Sequence, residues 1–450
     1  MKRILLVSSN ITTEPYPVYP LGLAVIAAAL AGAGHDVEQF DFLVSGESEE
    51  LLAARVAAFA PDYVCVSIRN LDNCDSLSVT GYPENARQIV AVIREASRAP
   101  VIIGGPAFSI MPEELLAFTG ADYGIIGEGE RLICELIRDL SDGKTPPTLL
   151  RGDGLLHGTE IVSPLYSAPM INFYLDKSGM INLQTKRGCP HGCIYCSYPS
   201  LEGSRYRCRD PRAVVDDLER IKVEHGVESF FFTDSVFNDK DDHYLAVVEE
   251  IIRRELSLRW CCYMRPEGVG RREIALMKRA GLYAVELGTD AACDTTLHSL
   301  GKGFTFADAL EANRACVAER LPCAHFVMFG GPGETMETVA EGLANLEQLE
   351  HTVVFAFSGI RILPGTALLE RAVRDGILAK GASLREPVYY LSSGVDVERM
   401  NDMIMAAFRN RRDRIFPPSA GQERLSIMQR FGYRGLLWDS LIKFPKESPC

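Results

Sequence analysis

Lys186-Arg187-Gly188-Cys189-Pro190-His191-Gly192-Cys193-Ile194-Tyr195-Cys196 is the stretch whose reading decides the rest. Its three cysteines stand at C-x3-C-x2-C spacing, directly after the alternating run 180–185, so the pattern predicts a loop leaving a strand. Three thiolates converging on one short loop suit a soft metal centre, and iron–sulfur clusters take such spacings. A four-iron cluster usually wants a fourth thiolate, and none follows at close spacing. The residues leave three readings open. One is a [4Fe-4S] cluster on Cys189, Cys193 and Cys196, with one iron free for a small molecule. The others are a zinc site completed by His191 and three unrelated core cysteines.

Outward from this loop the chain keeps a strand–helix rhythm. Strands are expected at 180–186, 229–233, 259–264, 284–287, 324–329 and 354–362, with helices between them at 211–225, 243–256, 273–280, 306–320 and 336–349. Six βα units make a partial barrel related to the eight-unit barrel, whose chemistry sits at the carboxyl ends of the strands. The polar and glycine-rich corners fall there: Thr233-Asp234-Ser235, Arg265-Pro266-Glu267, Gly288-Thr289-Asp290 and Gly330-Gly331-Pro332.

The first third repeats the rhythm with strands at 3–8, 37–42, 63–68, 100–104 and 123–126, which predicts a Rossmann-like, doubly wound parallel sheet. Ligands of such sheets bind beyond the strand carboxyl ends. Gly104-Gly105-Pro106 follows the fourth strand there and Gly127-Glu128-Gly129 the fifth. No G-x-G-x-x-G follows the first strand; a polar, proline-containing loop, residues 8–20, stands in its place and speaks against a nicotinamide site. The expected division is an N-terminal domain over 1–145, a Gly/Pro/Ser-richer linker over 146–175, the barrel over 176–385 and a small helical region over 386–450. In that last region the basic run Arg409 to Arg414 reads as a solvated helix face, and Cys450 as frayed.

Composition narrows the function. With 47 Lys and Arg against 60 Asp and Glu, the 450-residue chain has a net charge of -13, and no basic stripe offers itself to nucleic acid. No apolar run is long enough for a bilayer span. Residues 1–7 look superficially like a signal peptide, but their apolar run is too short and reads better as a first strand. Thirteen cysteines without a disulfide-like framework fit a reducing compartment, so a cytoplasmic location is expected. Adjacent Cys261 and Cys262 should point to opposite faces of one strand and cannot easily share a metal.

C-x3-C-x-aromatic-C, with Tyr195 as the aromatic, resembles the signature of the radical SAM enzymes. The resemblance implies that S-adenosylmethionine chelates the open iron and is cleaved to a 5′-deoxyadenosyl radical. It implies that Tyr195 packs near the adenine and that Thr233, Asp234 and Ser235 meet the methionine amino group. It further implies that Glu286 holds the ribose and that Gly330, Gly331 and Pro332 pass close to the adenine. The second corner lacks a literal Gly-Gly-Glu, and Glu286 could instead be a barrel ion-pair residue for Arg265 or Arg361.

The N-terminal part resembles the cobalamin-binding domain that precedes many of these enzymes, through Tyr19-Pro20-Leu21-Gly22-Leu23, Gly34-His35-Asp36-Val37, Ile103-Gly104-Gly105-Pro106 and Ile126-Gly127-Glu128-Gly129-Glu130. That places Leu21, Gly22, Gly104, Gly105, Pro106, Gly127, Glu128 and Gly129 around cobalamin. The D-x-H-x-x-G loop of other cobalamin proteins is absent, so no histidine is expected beneath cobalt; Arg69 and Asn70 would lie there. Together the resemblances imply a cobalamin-dependent methyltransferase acting on an unactivated carbon of a small-molecule or lipid substrate, served by a flavodoxin- or ferredoxin-type electron donor. A cyclase, ring-contracting or oxidising enzyme with the same cofactors, and a non-catalytic corrinoid or redox-sensing protein, are the alternatives.

Overall fold

The structure, a computed structural model, describes residues 1–444. Cys450 lies outside the described residues. The first sheet holds β1 (Arg3–Ser8), β2 (Asp36–Asp41), β3 (Tyr63–Ser67), β4 (Val101–Gly104), β5 (Tyr123–Ile126) and β6 (Leu149–Arg151), in the order β2-β1-β3-β4-β5-β6. Every pairing is parallel. Ile4 to Val7 are fully buried because helices cover both faces, which is why β1 reads as an unbroken apolar run. The order reverses between β1 and β3, and the crevice outside their carboxyl ends is where such sheets bind ligands. β6 comes from the segment expected to be linker: Leu149, Leu150 and Arg151 pair with Gly124, Ile125 and Ile126.

The chain then enters β7 (Ile181–Leu183). A small antiparallel ribbon of β8 (Lys186–Arg187) and β9 (Arg207–Cys208) follows. The expected strand 180–186 is thus split, because Asp234 Oδ1 accepts the backbone N–H of Thr185 at 2.7 Å and ends its ladder. The barrel continues through β10 (Ser229–Phe232), β11 (Arg259–Met264), β12 (Leu282–Asp290), β13 (Cys323–Phe329) and β14 (Val353–Ser358). All six expected strands pair in sequence, parallel, with β7 at one edge. The expected strand 354–362 also breaks, at Gly359 with φ +73°, into β14 and a short β15 (Ile360–Arg361) that pairs antiparallel with β16 (Tyr389–Tyr390).

The other edge holds a seventh strand, β17 (Arg414–Ile415), parallel to β14. This corrects the reading of the basic run. The helix Val397–Phe408 stops before it. The Arg414 guanidinium is buried, donating to the carbonyls of Thr352, Leu346 and Leu349 at 2.6–3.1 Å, so it closes the turn before β14.

The barrel interior is filled, not hollow. Tyr16, Phe231, Cys261, Ala284, Ala324, Val353 and Phe355 form one buried cluster with Trp438 and Leu441. Cys262 packs outward against the helices, so the two adjacent cysteines do face opposite ways.

Candidate functional site

A cavity of about 540 Å³ lies between the first sheet and the barrel. One wall is built by the carboxyl-end loops of the first sheet. Leu21, Gly22, Arg69, Asn70, Gly104, Gly105, Pro106, Gly127, Glu128 and Gly129 all line it. Two of its glycines are required. Gly105 has φ +100° and sits so close to the next loop that a Cβ would stand 2.5 Å from the Ile68 carbonyl oxygen. Gly127 has φ +83°, and a Cβ there would meet nothing within 4 Å; the open space is the cavity itself, bordered by bare backbone. A surface of this kind fits a large flat ligand, which needs close backbone approach. Among the described residues Arg69 pairs with no carboxylate. Its charge acts at a distance on the phenols of Tyr82, Tyr174, Tyr198 and Tyr263, opposing the rise that burial gives them.

The opposite wall belongs to the barrel and includes Phe231, Thr233, Tyr263, Tyr198 and the N-terminal loop residue Tyr16. Tyr263 and Tyr198 are 41% and 45% exposed, a high figure for aromatic side chains on a strand and a helix; the surface they expose faces the cavity. Tyr16 enters the barrel mouth, 6.0 Å from Phe231 between ring centroids, and no sequence signal announced it.

Glu128 does more than line the wall. Its carboxylate accepts from Arg187 Nη1 at 2.8 Å, from Arg207 Nη1 and Nη2 at 2.9 and 2.8 Å, and from the Leu156 N–H at 2.8 Å. Glu130 takes the other end of Arg187 at 2.6 Å. Burial pushes the Glu128 carboxyl upward, but the bonds from Arg207 and Arg187 outweigh it and hold the group below the usual range. A loop of the first sheet is thereby tied to the ribbon that carries the cysteines.

Cys189, Cys193 and Cys196 follow that ribbon. The loop is held by backbone: Cys189 N–H donates to Gly203 O, Ile194 N–H to Leu300 O and Leu368 N–H to Ile194 O, at 2.8–3.0 Å. Burial pushes the Cys189 thiol up and that of Cys196 up to about 12, while Arg265 and Lys302 act on Cys189 in the opposite sense. Tyr195 donates to Asp290 Oδ2 at 2.5 Å, and Lys302 pairs with that carboxylate. Among the described residues no three His, Cys, Asp or Glu side chains are gathered tightly enough for one metal ion. His191 turns to the Tyr206 hydroxyl at 3.3 Å. A four-iron cluster would need three thiols, each for a different iron, and the loop offers three thiols beside buried cations.

The remaining expected site residues stand elsewhere around the barrel mouth. Thr233 lines the cavity. Asp234 is buried and spends its oxygens on Thr185, the Lys186 N–H and the Lys186 ammonium at 3.5 Å. Ser235 donates to Glu202 at 3.2 Å. Glu286 lies inside the barrel, 2% exposed; burial pushes its pKa to about 8, against the opposing influence of the Tyr263 phenol. It pairs with neither Arg265, which binds Glu267, nor Arg361, which binds Asp72. Gly330 and Gly331 both donate their N–H groups to Glu334 Oε2. Pro332 is buried beside them.

Sequence reasoning set Arg265 and Asp290 at corners of the barrel mouth without a role beside the cysteines, and it missed Lys302. The faint signal was a second glycine corner, Gly301-Lys302-Gly303, whose partner loop is more than a hundred residues earlier.

Comparison with known proteins finds two family models along the chain. The Radical SAM superfamily model matches residues 183–344 and the B12 binding domain model residues 8–137. The tryptophan 2-C-methyltransferase of Streptomyces laurentii is 26% identical over 441 residues, covering 80% of this chain and 73% of that protein. An anaerobic magnesium-protoporphyrin IX monomethyl ester cyclase of Cereibacter sphaeroides is 29% identical, over 72% of this chain and 55% of its own. Among solved structures, the radical S-adenosylmethionine methyltransferase TsrM of Kitasatospora setae, with tryptophan and the analogue aza-SAM bound, shares the fold. Its TM-score is 0.87 at 24% identity, over 98% of each chain.

Proposed function

We propose, for a chain that belongs to the radical SAM superfamily and carries a B12 binding domain, the function of a cobalamin-dependent methyltransferase acting on an unactivated carbon of a small-molecule or lipid-type substrate. One observation carries the reading: the glycine-built loops of the first sheet and the barrel mouth share one cavity, and Glu128 ties that cavity to the ribbon bearing the three cysteines. The name of the Streptomyces relative supports carbon methylation. When bound, the [4Fe-4S] cluster with S-adenosylmethionine supplies hydrogen abstraction, and cobalamin supplies the methyl carrier.

This chain's residues then divide the work. Cys189, Cys193 and Cys196 hold the cluster. Gly104, Gly105, Pro106, Gly127 and Gly129 let the corrinoid lie against backbone, with Leu21 and Gly22 at its edge. Arg69, with Asn70 beside it, would present to the corrinoid a cation that has no carboxylate partner among the described residues. Thr233 and Tyr195 border the S-adenosylmethionine space. Asp234 and Ser235 fix the strand end and Glu202 beneath it, and Gly330, Gly331 and Pro332 form the far corner. Tyr16, Phe231 and Tyr263 exclude water from the substrate carbon. A flavodoxin- or ferredoxin-type donor supplies the electron, and a reducing cytoplasm protects the cluster.

The test is turnover of anaerobically reconstituted protein with methyl-labelled S-adenosylmethionine and cobalamin. Label in the product supports methylation; unlabelled product with 5′-deoxyadenosine favours the second reading, a ring-forming enzyme like the cyclase relative. Protein that takes up no corrinoid after supplementation overturns both.

A further inference from the structure

Beneath the cysteine loop lies a second platform, Leu300 to Phe304, that the functional reading does not use. It touches the cysteine loop directly. Ile194 N–H donates to Leu300 O at 3.0 Å, and a Cβ on Gly301 would stand 2.5 Å from the Gly192 carbonyl oxygen. Lys302 projects from it, 5% exposed, with its ammonium 5.5 Å from the Tyr195 ring centroid and 5.8 Å from that of Phe304. Tyr195 belongs to the cysteine loop, between Cys193 and Cys196, so the ammonium packs against that loop. A second cation closes the group. The Arg265 guanidinium stacks 5.0 Å over Phe304, gives Nη2 to Glu267 at 2.7 Å and leaves its buried Nε–H without a hydrogen-bond partner. Lys302 acts electrostatically on Cys189, Cys193 and Cys196, and Arg265 on Cys189.

Burying two cations costs desolvation energy, and each has one carboxylate partner, Asp290 for Lys302 and Glu267 for Arg265. Here Asp290 is shared between Lys302 and the Tyr195 hydroxyl, and Arg265 keeps an unused donor. Their field falls on the place where an added electron would raise negative charge.

Resting on the cluster assignment above, we propose that Lys302 and Arg265 are positioning residues that set the reduction potential of the cluster, with Asp290 as the opposing charge that trims it. Nearby positive charge stabilises the reduced cluster, which carries one more electron. Lys302 works through this field and makes no bond to iron.

The experiment is a redox titration, followed by electron paramagnetic resonance, of reconstituted full-length protein containing cobalamin. Iron and sulfide are quantified in every variant. Lys302→Met and Arg265→Met should each move the midpoint to more negative potential. Lys302→Arg should restore it. Asp290→Asn, which keeps a hydrogen-bond acceptor for Tyr195 while removing the charge, should move the midpoint the other way. A merely structural role predicts no such opposition of sign. Full clusters with an unchanged midpoint in Lys302→Met and Arg265→Met overturn the proposal. So does a same-direction shift in Asp290→Asn, or loss of the cluster from every variant. Wild-type protein that assembles no cluster sinks the functional reading instead, and the two failures are therefore distinguishable.

Discussion

Where the first sheet meets the cavity, Gly104, Gly105, Gly127 and Gly129 bring backbone to the wall between side chains such as Leu21, Arg69 and Asn70. Where the barrel carries its thiols the surroundings are side chains, with Lys302, Asp290, Arg265 and Glu267 packed in ion pairs under and beside the loop. The first wall suits a large neutral-faced ligand that arrives complete and is held by shape. The second suits a small anionic centre held by covalent bonds and field. Shape and field fail differently when residues change, and that difference can be measured.

The largest expected effect is on the thiol side. Cys193→Ala should lose the cluster and all methyl transfer while corrinoid uptake persists, read from iron and sulfide content and the visible spectrum. Corrinoid lost together with the cluster would break the separation. On the opposite wall, Gly127→Val fills open space at a φ of +83°. It should weaken corrinoid binding about tenfold or more and leave iron content unchanged, as tested by spectral titration.

Glu128→Gln addresses the tie between the walls. It leaves Arg187 and Arg207, 9% and 13% exposed, short of their shared carboxylate. Breaking a buried pair from one side should cost about 3 kcal/mol of stability, measurable by denaturant unfolding. An unchanged midpoint would show that Glu130 alone suffices for Arg187.

The pH dependence of stability turns on Glu286, whose folded pKa is raised to about 8 by burial. The folded state then holds a proton that the unfolded chain releases near the ordinary carboxylate value. Stability from this group is therefore full in acid and is lost as pH rises towards about 8, at no more than about 1.4 kcal/mol per pH unit. Glu286→Gln should flatten that slope relative to wild type. Parallel curves from pH 5 to 8 would show that the carboxyl is not held neutral.

The glycine wall was legible in the sequence because its residues follow strands directly: Gly104-Gly105 and Gly127-Glu128-Gly129 are local features at positions that topology fixes. The cysteine spacing was legible for the same reason. The charged platform was not, since Lys302 reaches Tyr195 across 107 positions and only the barrel's closure brings them together. Arg414 misled for a related cause. A run of arginines looks solvated until one learns that the guanidinium caps carbonyls of a turn sixty residues earlier. Glu128 lines the cavity, and its binding to two arginines of the ribbon could not be read from its own loop.

The filled barrel interior also bears on the order in which the protein is made. Tyr16 packs in the same cluster as Leu436, Leu437 and Trp438, and the Pro15 carbonyl accepts a bond from Gln429, 414 positions away. The first sheet can form from early residues alone, whereas the barrel lumen stays open on the ribosome until residues 436–442 emerge. Contacts of such sequence separation are slow to form. The lumen is therefore closed by the two ends of the described chain, and it is complete only once residues 436–442 have joined Tyr16.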